Sequence, residues 1–124
     1  MPTARATPVC DPFDVVALPF PYGERPVRQR RPALVISASF LAREQGLAWV
    51  AMITARANPA QPGDIAIADW AEAGLPIASV IRPGKIATVE ADRLEILGRL
   101  DPATIAQVQE ALSRLGAAWL TRPS

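Results

Sequence analysis

Histidine is absent from this 124-residue chain, and cysteine and lysine occur once each, as Cys10 and Lys85. Without imidazole the commonest general base is missing, and so is the usual nitrogen ligand of a transition metal. A lone thiol forms no internal disulfide and no cysteine-rich zinc site, so neither a metal nor another cofactor is expected. Long apolar runs are missing too. None reaches the roughly eighteen residues that a membrane-spanning helix needs, and the N-terminus lacks the apolar core of a secretory signal. A cytoplasmic protein with no membrane partner is the expectation. Nor is there an excess of one charge: 13 basic residues face 12 acidic ones, a formal net charge of +1, which by itself says nothing about a polyanionic partner.

What is present is a hydrophobic share of 50%, enough for one buried core, and a local concentration of arginine. Between Gly23 and Pro32 stand Arg25, Arg28, Arg30 and Arg31 against the single acid Glu24, in a stretch without apolar periodicity. On its own this is a solvated loop that keeps a sheet edge from pairing with other chains. The planar guanidinium fork, however, suits bidentate contacts to phosphate.

The segment 1–12, rich in Thr and Pro, reads as a flexible N-terminal tail, and 13–124 as a single domain. Asp14 to Phe20, Ala33 to Ser37, Ala48 to Ile53 and Asp64 to Ile67 read as four short strands, the last entered through the turn signals Asn58-Pro59 and Pro62-Gly63. Asp69 caps one helical turn that stops at Gly74, and Ala78 to Arg82 and Lys85 to Val89 make two further strands joined by a Pro83-Gly84 turn. Asp101-Pro102 then opens an amphipathic helix, with Ile105, Val108, Leu112, Leu115 and Trp119 on one stripe. The pattern predicts a mainly β protein with helices: a small barrel of five to six or more strands with a C-terminal helix packed on it. Trp49 and Trp70 are candidates for base stacking, but the continuous apolar run around Trp49 places it in the core.

Asp14-Val15-Val16 with Pro19-Phe20-Pro21, Arg31-Pro32-Ala33-Leu34-Val35, Ile53-Thr54-Ala55-Arg56, Gly74-Leu75, Ser79-Val80-Ile81-Arg82 with Lys85-Ile86, and Leu97-Gly98-Arg99-Leu100 follow one another in the order of the MazF/PemK-type toxins. The chain resembles that family from about Phe13 to Leu115. The resemblance implies an SH3-like barrel that forms a homodimer, belongs to a type II toxin–antitoxin system and cuts single-stranded RNA without a metal. Its other partner would be a cognate antitoxin, and DNA would be met only through the antitoxin complex.

By residue type alone Arg31 is a sheet-edge charge and Thr54 a β-former at a strand end. The resemblance places both in the catalytic centre. With no histidine, Glu24 is the candidate base, and transfer through a phosphate oxygen is the alternative. Arg25, Arg28, Arg30, Arg56, Arg82 and Lys85 are the expected RNA-binding residues, with Arg93 and Arg114 away from the groove. Two alternatives stay open: a gyrase-binding toxin of the same fold that uses the C-terminal helix, and a member that binds RNA or antitoxin without cutting.

Overall fold

The computed structural model describes residues 10–19 and 30–120. Six strands form one antiparallel sheet: β1 (Asp14–Pro19), β2 (Arg30–Val35), β3 (Leu47–Ala55), β4 (Ile65–Ala66), β5 (Ser79–Glu90) and β6 (Glu95–Arg99), in the spatial order β4-β5-β3-β2-β1-β6. The sheet curls into a half-barrel, the mainly β fold expected from the sequence. Helix α1 (Ser39–Gln45) joins β2 to β3, and α2 (Pro102–Leu115) with the short α3 (Ala117–Leu120) follows β6.

Alternation along the strands feeds two cores, one on each face of the sheet. Val15, Leu34, Ala51, Ile53 and Ile81 pack with Val108 of α2 and with Leu75, while Val16, Ala33, Val35, Ala48 and Val50 pack with Ala42 of α1 and with Cys10. The Cys10 thiol is buried, and that burial pushes its pKa up, with Asp14 and Asp11 adding to the rise. Phe13 takes a left-handed φ of 73°. The cost of that conformation, about 1–3 kcal/mol, is offset by two backbone hydrogen bonds, Phe13 N–H to Val35 at 2.7 Å and Leu100 N–H to Phe13 at 3.1 Å. Next to it the carboxylate of Asp14 accepts from Arg99 at 3.1 Å and from the amide of Asp11 at 3.0 Å. Two residues quoted for the family resemblance therefore hold β1 against β6.

Three expectations need correction. The two strands expected around Pro83-Gly84 are one strand, β5, whose register on β3 jumps from Met52↔Arg82 to Ala51↔Ile86. Pro83, Gly84 and Lys85 bulge out of the ladder instead of ending it, because the backbone on either side keeps its partners on β3. Trp49 is 45% exposed, not core: β3 is covered on one face along its length but on the other only where α2 reaches. And the helix is not continuous to Trp119, since it stops at Gly116 and leaves Leu115 and Trp119 exposed.

Helix α2 begins as its sequence dictates. Asp101 is the N-cap and accepts from the Thr104 amide at 2.9 Å, with Pro102 in the first turn. Burial of Asp101 opposes its ionisation, but the hydrogen bonds from Thr104 and the Asp69 amide outweigh it and hold the carboxyl below its ordinary pKa.

Before α2, the turn at 68–74 is the expected single helical turn, with the Ala73 N–H donating to the Asp69 carbonyl at 3.1 Å and the left-handed Gly74 ending it, and it closes on β6 by direct backbone contact. A methyl group on Gly98 would lie 2.5 Å from the carbonyl oxygen of Ala73, and one on Gly74, at φ 85°, would lie 2.3 Å from that of Leu97. Both glycines are thus required by close approach, which brings Leu75 and Leu97 side by side on the wall of one cleft. Gly98→Ala is expected to lower stability by about 1–3 kcal/mol, the usual cost of overpacking, read as a drop in the midpoint of thermal or urea unfolding. An unchanged midpoint would show that the two backbones separate at no cost.

Candidate functional site

The pairing of β2 with β3 runs Val35↔Val50, Leu34↔Ala51, Ala33↔Met52. Continuing the same register by two residues sets Arg31 opposite Thr54, just past the end of the ladder. Both line a cleft of about 580 Å³, together with Pro32, Asn58, Leu75 and Ser79. Pro32, which follows Arg31, has no N–H to donate, which suits the place where β2 has left the ladder with β3 while still lying beside β1.

Thr54 is half-buried at the end of β3, and its Oγ1 accepts from Asn58 Nδ2 at 2.6 Å. Asn58 sits there because the chain turns immediately after β3, with the Asn58 amide bonded to the Ala55 carbonyl at 3.0 Å. The Ser79 hydroxyl is spent on the Ile77 carbonyl at 2.9 Å. At the rim Arg30 makes an ion pair with Glu95 of β6.

A second cleft, of about 700 Å³, lies on the other side of the loop 56–64 and holds Arg82, Lys85 and Arg114. Arg82 is largely committed to structure, donating from Nε to Asp64 at 3.1 Å and from Nη2 to the Pro59 carbonyl at 2.9 Å. The Gln61 amide donates to the second oxygen of Asp64 at 2.9 Å. That bond is the largest influence on Asp64; burial works against it, and Arg82 adds to it, so the carboxyl is held below its ordinary pKa. Lys85 and Arg114 have no ion-pair partner among the described residues and are exposed.

The site residues expected from sequence therefore divide. Arg31, Thr54 and Arg30 share the first cleft, and Arg82 and Lys85 the second. Arg56 is exposed beyond the end of β3 and lines neither. Glu24, Arg25 and Arg28 lie outside the described residues. Sequence reasoning missed Asn58, taken only as a turn signal although it stands four residues after Thr54. It also placed Arg114 away from Lys85, whereas α2 carries it into the same cleft. Glu95 had no sequence signal, since its partner Arg30 lies 65 residues away. Trp70 is half-buried and packs against the core.

A curled six-stranded antiparallel sheet with a C-terminal helix and with arginine and lysine side chains in two clefts defines a small, mainly β protein of the half-barrel class. Residues 11–115 match the model of the PemK-like, MazF-like toxins of type II toxin–antitoxin systems, and the chain belongs to that family. Among solved structures it is similar to MazF from Deinococcus radiodurans, at 26% identity over 88% of this chain and 97% of that one, with a TM-score of 0.66. It is also similar to the MazE–MazF complex of that organism, at 25% identity over 86% and 94%, with a TM-score of 0.67. An endoribonuclease in complex with its cognate antitoxin, from a mycobacterial species, shares the fold at 21% identity over 91% and 98%, with a TM-score of 0.64. No curated protein matches the sequence.

The Asp64 clamp has a pH signature. A carboxylate whose folded pKa lies below its unfolded value stabilises the fold above the unfolded pKa, and that contribution is lost as pH falls through the folded pKa. The Gln61 amide is therefore expected to be protected from hydrogen exchange at neutral pH, to lose protection only below the ordinary carboxylate range, and to be unprotected at neutral pH in Asp64→Ala. Equal protection factors in the two proteins would mean that the loop is held by something else.

Proposed function

We propose that this protein is the toxin of a type II toxin–antitoxin system and that it cleaves single-stranded RNA to inhibit translation and growth. The observation that carries the reading is the meeting of Arg31 and Thr54 across one cleft. RNA brings its own nucleophile, so the protein's task is to orient the 2′-hydroxyl, remove its proton and stabilise the phosphorane, with no metal demanded by the chemistry. The 2′-oxygen forms a bond to phosphorus, the bond to the 5′-oxygen breaks, and a proton moves to that leaving oxygen. A cyclic phosphate and a free 5′-hydroxyl result.

In this scheme Arg31 places N–H donors on the phosphoryl oxygens as charge builds, and Thr54 adds one directional hydrogen bond. The base is Glu24 from the arginine-rich segment or, in its place, a phosphate oxygen of the substrate. Lys85 and Arg114 hold phosphates farther along the strand, while Arg82 serves mainly to fix the loop between the two clefts. Arg30, held by Glu95 in the absence of RNA, exchanges that carboxylate for a phosphate.

The homodimer reading is supported by the exposed apolar strip of Trp49, Ile86, Leu115 and Trp119, which lines a groove of about 430 Å³. Leaving Ile86 48% and Leu115 59% exposed forgoes a good part of the roughly 1.5–3 kcal/mol that burial of each would give, so a partner surface there is strongly favoured. An antitoxin neutralises the toxin by filling the cationic clefts with acidic side chains, and DNA is engaged only through that complex. The site of action is the cytoplasm.

The reading is tested by incubating the protein with a long RNA in EDTA. Discrete fragments with 5′-hydroxyl ends are expected, and Arg31→Ala is expected to cut at least about a hundredfold more slowly, the scale of losing one transition-state donor, with its unfolding midpoint unchanged. Intact RNA with the wild type would favour the gyrase-binding alternative, in which the exposed Leu115 and Trp119 are the contact. For binding, the affinity of the Arg31→Ala protein for a short RNA is expected to fall steeply with salt. Lys85→Gln and Arg114→Gln are each expected to lower the log–log slope by about 0.7, one released phosphate contact apiece. A slope equal to that of the parent would remove the residue from the RNA path.

A further inference from the structure

A threonine hydroxyl has one proton to give and two lone pairs to offer, so what it does for an anion depends on which way it is turned. A phosphoryl oxygen only accepts. Thr54 helps such an oxygen only if its proton is free and points into the cleft, and left alone the hydroxyl rotates among several partners. Asn58 removes that freedom. Its Nδ2 donates to Thr54 Oγ1 at 2.6 Å, which occupies a lone pair, and among the described residues the Thr54 hydroxyl makes no other hydrogen bond. The proton is therefore unspent, and the side chain lines the cleft that also holds Arg31.

We propose, resting on the RNA-cleavage reading above, that Asn58 is a positioning residue that orients the Thr54 hydroxyl as a donor to the scissile phosphate. The donor chain runs Asn58 N–H to Thr54 oxygen and Thr54 O–H to phosphate, each bond polarising the next in the direction the anion requires. The opposite polarity, with the amide oxygen taking the hydroxyl proton, would turn lone pairs toward the negative charge.

The amide is held for this task from two sides. On one side the turn bond to Ala55 sets Asn58 over Thr54, and Pro59 limits Asn58 to extended backbone. On the other, the carbonyl of Pro59 is gripped by Arg82, which is itself held by Asp64. The Arg82–Asp64 pair, which faces the second cleft, thus anchors the residue that tunes the first.

The test is single-turnover cleavage by wild type, Asn58→Ala, Asn58→Asp, Thr54→Val and the Asn58→Ala/Thr54→Val double variant, from about pH 3 to 8 so that the window spans the ordinary aspartate titration at about 3.9, with RNA affinity and unfolding midpoint measured alongside. Asn58→Ala is expected to cut about tenfold more slowly, the scale of one hydrogen bond, with RNA affinity unchanged, and to have no further effect once Thr54 is valine. Asn58→Asp keeps the shape and exchanges the donor for a carboxyl. Protonated, that carboxyl can still donate; ionised, it takes the hydroxyl proton. Its rate relative to wild type is therefore expected to fall as pH rises through the carboxyl's titration, while the Asn58→Ala ratio stays flat. Additive effects of the two substitutions, wild-type cutting by Asn58→Ala, or a flat Asn58→Asp ratio would each overturn the proposal while leaving the nuclease reading in place. A wild type that leaves RNA intact would remove the nuclease reading and this proposal together.

Discussion

The pairing of β2 with β3 is the constraint on which the site depends. Side chains alternate along a strand, so a slip of one residue would turn Arg31 away from Thr54 and at the same time drive Leu34 and Val35 onto the wrong faces of the sheet. Both of those residues are fully buried, in different cores. The same packing that stabilises the fold therefore locks the register, and the register delivers the guanidinium and the hydroxyl to one cleft. No separate device is needed to align them. The wall opposite is set just as rigidly, because the turn at 68–74 lies against β6 with no room for a side chain at Gly74 or Gly98.

Charge on this molecule is arranged by pairing rather than by excess. Asp14 with Arg99 and Asp64 with Arg82 consume their cations in tying strands and loops together. Lys85 and Arg114 in the second cleft have no ion-pair partner among the described residues, Arg31 lines the first, and Arg30 at its rim is paired with Glu95. This explains how a chain with net charge +1 can present a cationic surface. It also means that the loop 56–64 carries weight on both sides, shaping Thr54 through Asn58 and the second cleft through Asp64.

The third feature of the surface is apolar. Helix α2 reaches the core with Val108 but ends at Gly116, and beyond that point the stripe of leucine and tryptophan meets solvent beside Trp49 and Ile86. The groove they form shares Gly84 and Leu115 with the second cationic cleft, so a partner covering one lies at the edge of the other. The apolar groove and the cationic cleft are neighbours on this face.

The sequence by itself determined the mainly β class, the position of most strands, and the cap and start of α2, because each is carried by local pattern or by residues within a few positions of one another. The candidacy of Arg31 and Thr54 came from the resemblance to a family along the whole domain, not from their residue types. Asp101-Pro102 needs nothing distant to begin a helix. Tertiary structure alone decided the rest. That Pro83-Gly84-Lys85 bulges within one strand follows from the ladder on β3, and that Trp49 is exposed follows from where α2 stops. Arg114 joins Lys85, and Glu95 joins Arg30, only because folding brings distant segments together. Asn58 lies four residues from Thr54 and still passed for a turn residue. Its side-chain direction is set by a tight turn and a distant arginine, and no pattern of residue types encodes the orientation of a hydrogen bond.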